Sequence, residues 1–327
     1  MSTQKYRIAV INSSSFGKHY SSHLKRLEAI GPVTFLKVAG DAHGKALADK
    51  LKDFNIIISS VTPFFDQEFF EHKQDVILIS RHGIGYNNVD TDAAKAAGTI
   101  VSIVSPLVER DAVAENAVTN LMAVMRKLPG AKKAADENRW TDRAQFLGNN
   151  ISGKVVGLIG CGNIGTRTAE IMKYGFQCEV LVYDPDVDKE WMKKHNMKET
   201  DLETLISKSD IFCLHASLNE TSNKILSTPQ FNKMKKGVYI TNTARGALID
   251  EGAMCKALDD GIVKGFATDV MVHEPADNTH PYFKYDNVLI TPHTSAYTDE
   301  CLEGMGEKCV EDVENVVQGK EVICRVA

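Results

Sequence analysis

The sequence lacks what would mark a membrane, secreted or nucleic-acid-binding chain. No apolar run approaches the roughly 20 residues that a bilayer-spanning helix needs. Met1-Ser-Thr-Gln-Lys-Tyr-Arg leads directly into an apolar strand, without the basic-then-apolar pattern of a secretion signal. The seven cysteines show neither metal-site nor disulfide-framework spacing, and an odd number cannot all pair. Basic residues form no block: 38 Lys and Arg against 43 Asp and Glu leave a formal charge of −5. That balance argues against nucleic acid or an anionic membrane as partner. The expectation is a soluble cytoplasmic protein with reduced cysteines and no metal centre.

What is present is an ordinary globular composition, 43% hydrophobic and 25% charged, in 327 residues, long for one core. Short apolar runs alternate with helix-like patterns. The first hundred residues predict strands near 8–11, 33–36, 56–59, 76–79 and 100–104, with helices around 22–28, 44–51, 66–71 and 91–97. Further strands are expected near 155–159, 180–183, 211–215, 238–241, 265–268 and 288–290. This alternation predicts an α/β chain with two doubly wound parallel sheets. Residues 111–125 are apolar nearly all round, as in a helix buried on several sides. Residues 298–318 form one long amphipathic pattern after the last strand, which could pack back on the first domain and make it discontinuous.

The most telling stretch runs from Val155 through Gly160, Gly162 and Gly165: a buried strand turning through glycines into a helix. Glycine at 160 suits the tight turn, at 162 the close approach of a pyrophosphate, and at 165 the packing of helix on strand. Nineteen residues after Gly165, Asp184 ends a second apolar strand, placed to accept hydrogen bonds from ribose hydroxyls and to repel a 2′-phosphate. The strand, helix, second strand and acid in register point to a dinucleotide, NAD rather than NADP. Cys161, inside the loop, reads as filler.

Four segments beyond strand ends hold residues that folding alone does not require. They are Arg81-His-Gly-Ile84-Gly85, the stretch Thr243-Ala244-Arg245-Gly246, the stretch from Asp269 to Glu274-Pro275, and Thr291-Pro292-His293. Singly, Arg245 reads as well as a surface ion-pair residue, Glu274 as a solvated loop acid, and His293 as a hydrogen-bonded strand-end residue. Spacing does not separate His293 from His82, His215, His273 or His280. Arg81 and His82 could meet a phosphate or be structural; Phe64 and Phe65 could line a pocket or fill the core. Together, after the strands of a dinucleotide fold, an arginine, an acid and a histidine suit hydride transfer to a 2-oxo acid. A protonated histidine beside a carboxylate donates the proton, and an arginine fork binds the substrate carboxylate.

Taken with the Ala114-Glu115-Asn116 helix, these segments resemble the D-isomer-specific 2-hydroxyacid dehydrogenases over nearly the whole chain. The resemblance implies a Rossmann NAD-binding domain of residues 106–296 inserted into a flavodoxin-like substrate domain of residues 1–105 plus 297–327, with a cleft between them. It implies Arg245, Glu274 and His293 as the catalytic set, and Ile84, Gly85 and Tyr297 as substrate contacts alongside Arg245. It further implies Gly160, Gly162, Asn163, Ile164, Gly165, Asp184, His215, Thr243, Ala244 and Asp269 around the coenzyme, Asp269 at the nicotinamide amide. Members pair as homodimers through the coenzyme domain, near residues 140–151 here. The chain departs from the family pattern at Asn116, where histidine is frequent, at Ser217, where proline is usual, and at Ala296. Tyr297 resembles the aromatic residue of D-lactate-type members, so the expected reaction is pyruvate to D-lactate. Hydroxypyruvate or glyoxylate reduction and short phosphoglycerate- or phosphoerythronate-type dehydrogenases are the alternatives. Glu274 stands where formate dehydrogenases carry glutamine, and an NAD-sensing corepressor scaffold is the remote non-enzymatic reading.

Overall fold

The computed structural model describes residues 5–327. The chain divides into two compact units: the segment up to Glu109 with Tyr297–Ala327, and Arg110–Ala296. Each is built on its own all-parallel sheet.

In the first unit the strands are β1 (Ile8–Ile11), β2 (Val33–Leu36), β3 (Ile56–Ser59), β4 (Leu78–Arg81) and β5 (Ile100–Ser102), in the order β2-β1-β3-β4-β5. Alternate strand residues feed two cores, as the twofold side-chain period of a strand demands. Ala9, Ile11, Ile57, Ile79 and Val101 pack with Leu47, Leu51, Phe69 and Ala94, from the segments of chain between the strands. Ile8, Val10, Ile56, Ile58 and Leu78 pack with Leu27 and with Cys309, Val310 and Val313 of the helix Asp299–Val317. The C-terminal helix therefore covers one face of the N-terminal sheet. It is pinned there by Asp312, 1% exposed, whose Oδ2 accepts Ser80 Oγ at 2.8 Å and Ser102 Oγ at 2.5 Å. Lys308 pairs with the other carboxylate oxygen, so the buried charge is both paired and hydrogen-bonded.

The second unit holds β6 (Val155–Ile159), β7 (Glu179–Tyr183), β8 (Lys198–Glu199), β9 (Ile211–Leu214), β10 (Val238–Asn242), β11 (Val263–Thr268) and β12 (Val288–Ile290). Their order is β12-β11-β10-β9-β6-β7-β8. Counted from its first strand this is the dinucleotide-binding order with one strand added, and the order reverses between β6 and β9. Ligands bind beyond the carboxyl ends of strands at such a reversal. Before β6, the helix Pro106–Met125 buries Val118, Leu121, Val124 and Met125 against one face of this sheet. Gly265 in β11 has no side chain because a Cβ there would stand 2.3 Å from Val124 Cγ1.

Several expected strand bounds shift, two of them with a visible cause. The strand expected at 76–79 begins two residues later, because Val76 lies in the approach, where its carbonyl accepts Thr99 Oγ1. The strand expected to reach residue 104 ends at Ser102, as Ile103 and Val104 turn their amides to Cys324 O and Gly83 O.

Candidate active site

The glycine loop in the second unit follows β6. Gly160 has φ +92°, in the left-handed region that side chains disfavour, and a Cβ there would lie 2.3 Å from Ala216 N. A Cβ on Gly165 would lie 2.2 Å from Gly160 O, so the new helix packs directly on the turn. At Gly162 nothing would meet a Cβ within 4 Å, and the residue is exposed. The helix Asn163–Glu170 starts there with no side-chain cap on its first amides. Open space in front of uncapped amides fits a pyrophosphate. Asn163 is exposed and Ile164 half-buried at this edge.

Asp184 ends β7 with its carboxylate turned back to the loop: Oδ2 accepts Cys161 N at 2.6 Å and Oδ1 accepts Asp186 N at 2.8 Å. The Cys161 thiol is buried, and burial, with Asp184 and Asp188 nearby, pushes its pKa up to about 12, so it carries no thiolate. His215, past β9, places Nδ1 3.5 Å from Thr243 Oγ1. Burial brings its pKa down to about 4, leaving a neutral ring beside the glycine loop. Ala244 is half-buried in the same turn as Thr243.

That turn is shaped by Asn242, the last residue of β10. Its Oδ1 accepts Ala244 N at 3.0 Å and its Nδ2 donates to Arg245 O at 2.9 Å. Arg245 is half-buried and donates from Nη1 to Ala244 O at 2.7 Å. Gly246 lets the turn lie against residues 271–272, since a Cβ there would be 2.2 Å from Met271 C. Met271 N in turn donates to Glu274 Oε1 at 2.8 Å, leaving Oε2 to meet His293 Nδ1 at 2.7 Å.

The charges explain the protonation states. Burial alone would lower the His293 pKa, but its hydrogen bond to Glu274 and the charges of Glu274 and Asp269 outweigh burial and the opposing Arg245, so the pKa rises. For Glu274, burial acts upward, and the His293 bond and charge, the Met271 amide and Arg245 turn the net shift downward. Arg245, Glu274 and His293 thus act on one another electrostatically within this unit. The competing histidines differ. His82 is buried and brought down to about 4 by burial, Arg81 and His23, while His280 caps a turn by accepting Tyr282 N.

His293 itself has φ +53°, a conformation a histidine keeps only if its surroundings hold it. Asp269 does so. Only 1% exposed, it accepts Thr291 Oγ1 at 2.5 Å, Thr294 N at 2.9 Å and Ser295 N at 2.7 Å, while its carbonyl accepts His293 N at 3.0 Å. Asn116 Oδ1 lies 2.9 Å from Ser295 Oγ, and Asn120 Nδ2 donates to Asn116 Oδ1 at 2.8 Å and to Thr291 Oγ1 at 3.2 Å. Asn242, Ser295 and Asn120 escaped the sequence reading. The available signal was Asn120, one helical turn after Asn116 in an otherwise apolar stretch.

Ile84, Gly85 and Tyr297 belong to the first unit. Arg81 is 1% exposed, and its guanidinium donates to Ser59 O at 2.8 Å and to Gly85 O at 2.9 and 2.5 Å. It orders the loop, which is the structural alternative left open by the sequence. Ile84 N donates to Glu109 Oε1 at 3.0 Å. Tyr297 is 47% exposed and its hydroxyl shares a hydrogen bond with Ser14.

Residues 118–295 match the family model described as "D-isomer specific 2-hydroxyacid dehydrogenase, NAD binding domain". The chain is 34% identical over 267 residues to a D-3-phosphoglycerate dehydrogenase of Archaeoglobus fulgidus, covering 82% of this chain and 50% of that one, so it spans about half that relative's length. It is 33% identical over 280 residues to a glyoxylate reductase of Thermofilum pendens, covering 84% and 81%. Among solved structures it is similar to the D-lactate dehydrogenase of Escherichia coli, with a TM-score of 0.83 and 26% identity, covering 98% of this chain and 100% of that one.

Proposed function

The chain belongs to the D-isomer-specific 2-hydroxyacid dehydrogenases, NAD-dependent oxidoreductases acting on CH–OH groups, and on that premise we propose that it reduces a small 2-oxo acid, foremost pyruvate to D-lactate, with His293 as proton donor. The observation that carries this is the Glu274–His293 pair at 2.7 Å, in which the carboxylate raises the histidine pKa and so favours the charged, proton-donating form. NADH, when bound, supplies the hydride.

Each residue then has a task. His293 gives its Nε2 proton to the carbonyl oxygen, while Glu274 on Nδ1 fixes the tautomer and stabilises the cation. Arg245 takes the substrate carboxylate and steadies charge growing on the carbonyl oxygen. The amides of Ile84 and Gly85 are carboxylate contacts, and Tyr297 bounds the substrate side chain. Gly160, Gly162, Asn163, Ile164 and Gly165 take the pyrophosphate, and Asp184 the adenosine ribose. His215, Thr243 and Ala244 pack against the coenzyme. Asp269, through the loop it holds, serves the nicotinamide end. The relative named glyoxylate reductase, which this chain covers to 81%, supports glyoxylate or hydroxypyruvate as the second reading.

The protein is read as a cytoplasmic homodimer. Trp140 and Leu147, 73% and 80% exposed, flank the segment before β6 as a face that a second copy would cover. Light scattering on Trp140→Asp should then report monomer. The reaction is tested by following NADH oxidation with pyruvate, hydroxypyruvate, glyoxylate, 2-oxoisocaproate, phenylpyruvate and 3-phosphohydroxypyruvate, with product chirality. Fastest turnover on pyruvate with a D-product is expected; an L-product would overturn the reading.

A further inference from the structure

The segment that carries His293 is tied to two elements at once. From the end of β11, Thr268 O accepts Thr291 N at 3.0 Å and Asp269 O accepts His293 N at 3.0 Å. The Asp269 carboxylate accepts the amides of Thr294 at 2.9 Å and Ser295 at 2.7 Å. From the helix Pro106–Met125, Asn120 and Asn116 reach the same segment on either side of the histidine. Asn120 Nδ2 donates one proton to Thr291 Oγ1 at 3.2 Å and the other to Asn116 Oδ1 at 2.8 Å. Asn116 Oδ1 lies 2.9 Å from Ser295 Oγ, and the Ser295 and Thr291 hydroxyls both donate to the Asp269 carboxylate at 2.5 Å. These five side chains form a closed ring of hydrogen bonds within the second unit, and His293 lies between its two loop members. The helix is a fixed support: Thr241 Oγ1 donates to Ala117 O at 3.1 Å, and Leu121 and Val124 lie in the core against the sheet.

Packing alone does not call for an amide at residue 120. Asn120 is 6% exposed beside the buried Ala117, Leu121 and Val124, and an apolar side chain would fill that place without the desolvation an amide suffers. What the amide adds is two donors in fixed directions, joined to hydroxyls that polarise toward the Asp269 carboxylate. His293 needs such support, because a histidine stays at φ +53° only while its surroundings over-determine it. We propose that Asn120 is a positioning residue for the proton transfer: with Asn116 it locks the His293 segment to the helix, and so sets the imidazole against Glu274. The inference rests on the reading of His293 as the proton donor. The plainer role, an amide whose hydrogen bonds only satisfy the interior, would affect stability and leave the imidazole where it is.

The test uses the full chain with Asn120→Leu, which loses both donors at similar volume. Asn120→Ser, which keeps one donor, is the second variant should the first fail to fold, and NADH binding checks folding. Pyruvate reduction should lose ~10-fold or more in kcat, with KM and the NADH Kd within ~3-fold, since a misdirected proton donor is felt in the transition state. Burial acts to lower the His293 pKa; of the charged groups that face the ring, Glu274 and Asp269 raise it and Arg245 lowers it. A ring held less squarely on Glu274 loses part of that support. The His293 ring signal in NMR, assigned by its loss in His293→Ala, should therefore titrate at least ~0.5 unit lower in the variant, and the basic limb of kcat/KM for reduction should move with it. A His293 titration at the wild-type pH would overturn the positioning role, whatever the change in stability or kcat, and leave the reaction standing. A lowered titration with an unmoved limb, or with no turnover of any 2-oxo acid, would keep the hold of Asn120 on His293 and sink His293 as proton donor instead.

Discussion

Replacing Glu274 by glutamine should move the pH at which this enzyme stops reducing its substrate. Glu274 Oε2 and His293 Nδ1 are 2.7 Å apart. Two unit charges with centres about 4 Å apart attract by about 4 kcal/mol at an effective dielectric near 20. The side chains are 39% and 30% exposed, so solvent screening reduces that toward the ~1 kcal/mol of surface pairs. A value of ~1–2 kcal/mol corresponds to about one pH unit. The sign follows from the chemistry. Reduction needs protonated His293, so its rate is full below the His293 pKa and falls as pH rises through it. Because Glu274 raises that pKa, the glutamine variant loses reduction at lower pH than wild type. Oxidation of the hydroxy acid needs neutral His293, so its acid limb should shift the same way and the variant should retain oxidation at lower pH. Profiles of kcat/KM against pH in both directions read these limbs. Limbs at the same pH in variant and wild type would refute the assignment of His293 and Glu274 as acid and partner.

Other perturbations separate the remaining roles. Arg245→Lys keeps the charge and loses the planar fork, so KM for pyruvate should rise and kcat fall, together ~10-fold or more in kcat/KM; an unchanged KM would place the carboxylate elsewhere. Asp184→Ala removes the acid that accepts Cys161 N and would repel a 2′-phosphate, so the preference for NADH over NADPH should narrow; no narrowing would undo the ribose assignment. Asp312→Ala strands Lys308 in the first unit and leaves two serine hydroxyls without their acceptor, and should cost about 3 kcal/mol in denaturant unfolding; a loss under about 1 kcal/mol would show that the cluster relaxes.

The two sheets were legible because most strands are short apolar runs bounded by turns, and β1, β3 and β6, buried on both faces, send alternate residues to two cores. The glycine loop was legible for a stronger reason: Gly160 and Gly165 each answer a different steric demand, since a Cβ at either would meet backbone at 2.3 or 2.2 Å. β8 was not, since Lys198 and Glu199 form a charged edge with no apolar alternation. The helix Leu128–Asp136 and the turn Trp140–Phe146 also escaped, for their pattern is largely polar and exposed. Phe64 and Phe65 read alike as sequence; Phe65 is fully buried, whereas Phe64 is 46% exposed, because only one face of that loop meets the core. In the second unit, the histidine, its acid and the arginine were visible as residue types after strands. What was not visible is what holds them: the Asp269 cluster, Asn242 and Asn120 act through contacts between segments distant in sequence. Nor does any spacing rule show that Glu109 reaches the Ile84 amide, because that contact depends on where a helix's first turn meets a loop.

That His293 gives the proton is tested by His293→Ala assayed beside wild type for NADH affinity and for pyruvate reduction. NADH binding within about twofold of wild type and a kcat lower by at least ~10² are expected. Near-normal turnover in a variant that binds NADH would contradict it, and would mean that the pair at 2.7 Å is structural.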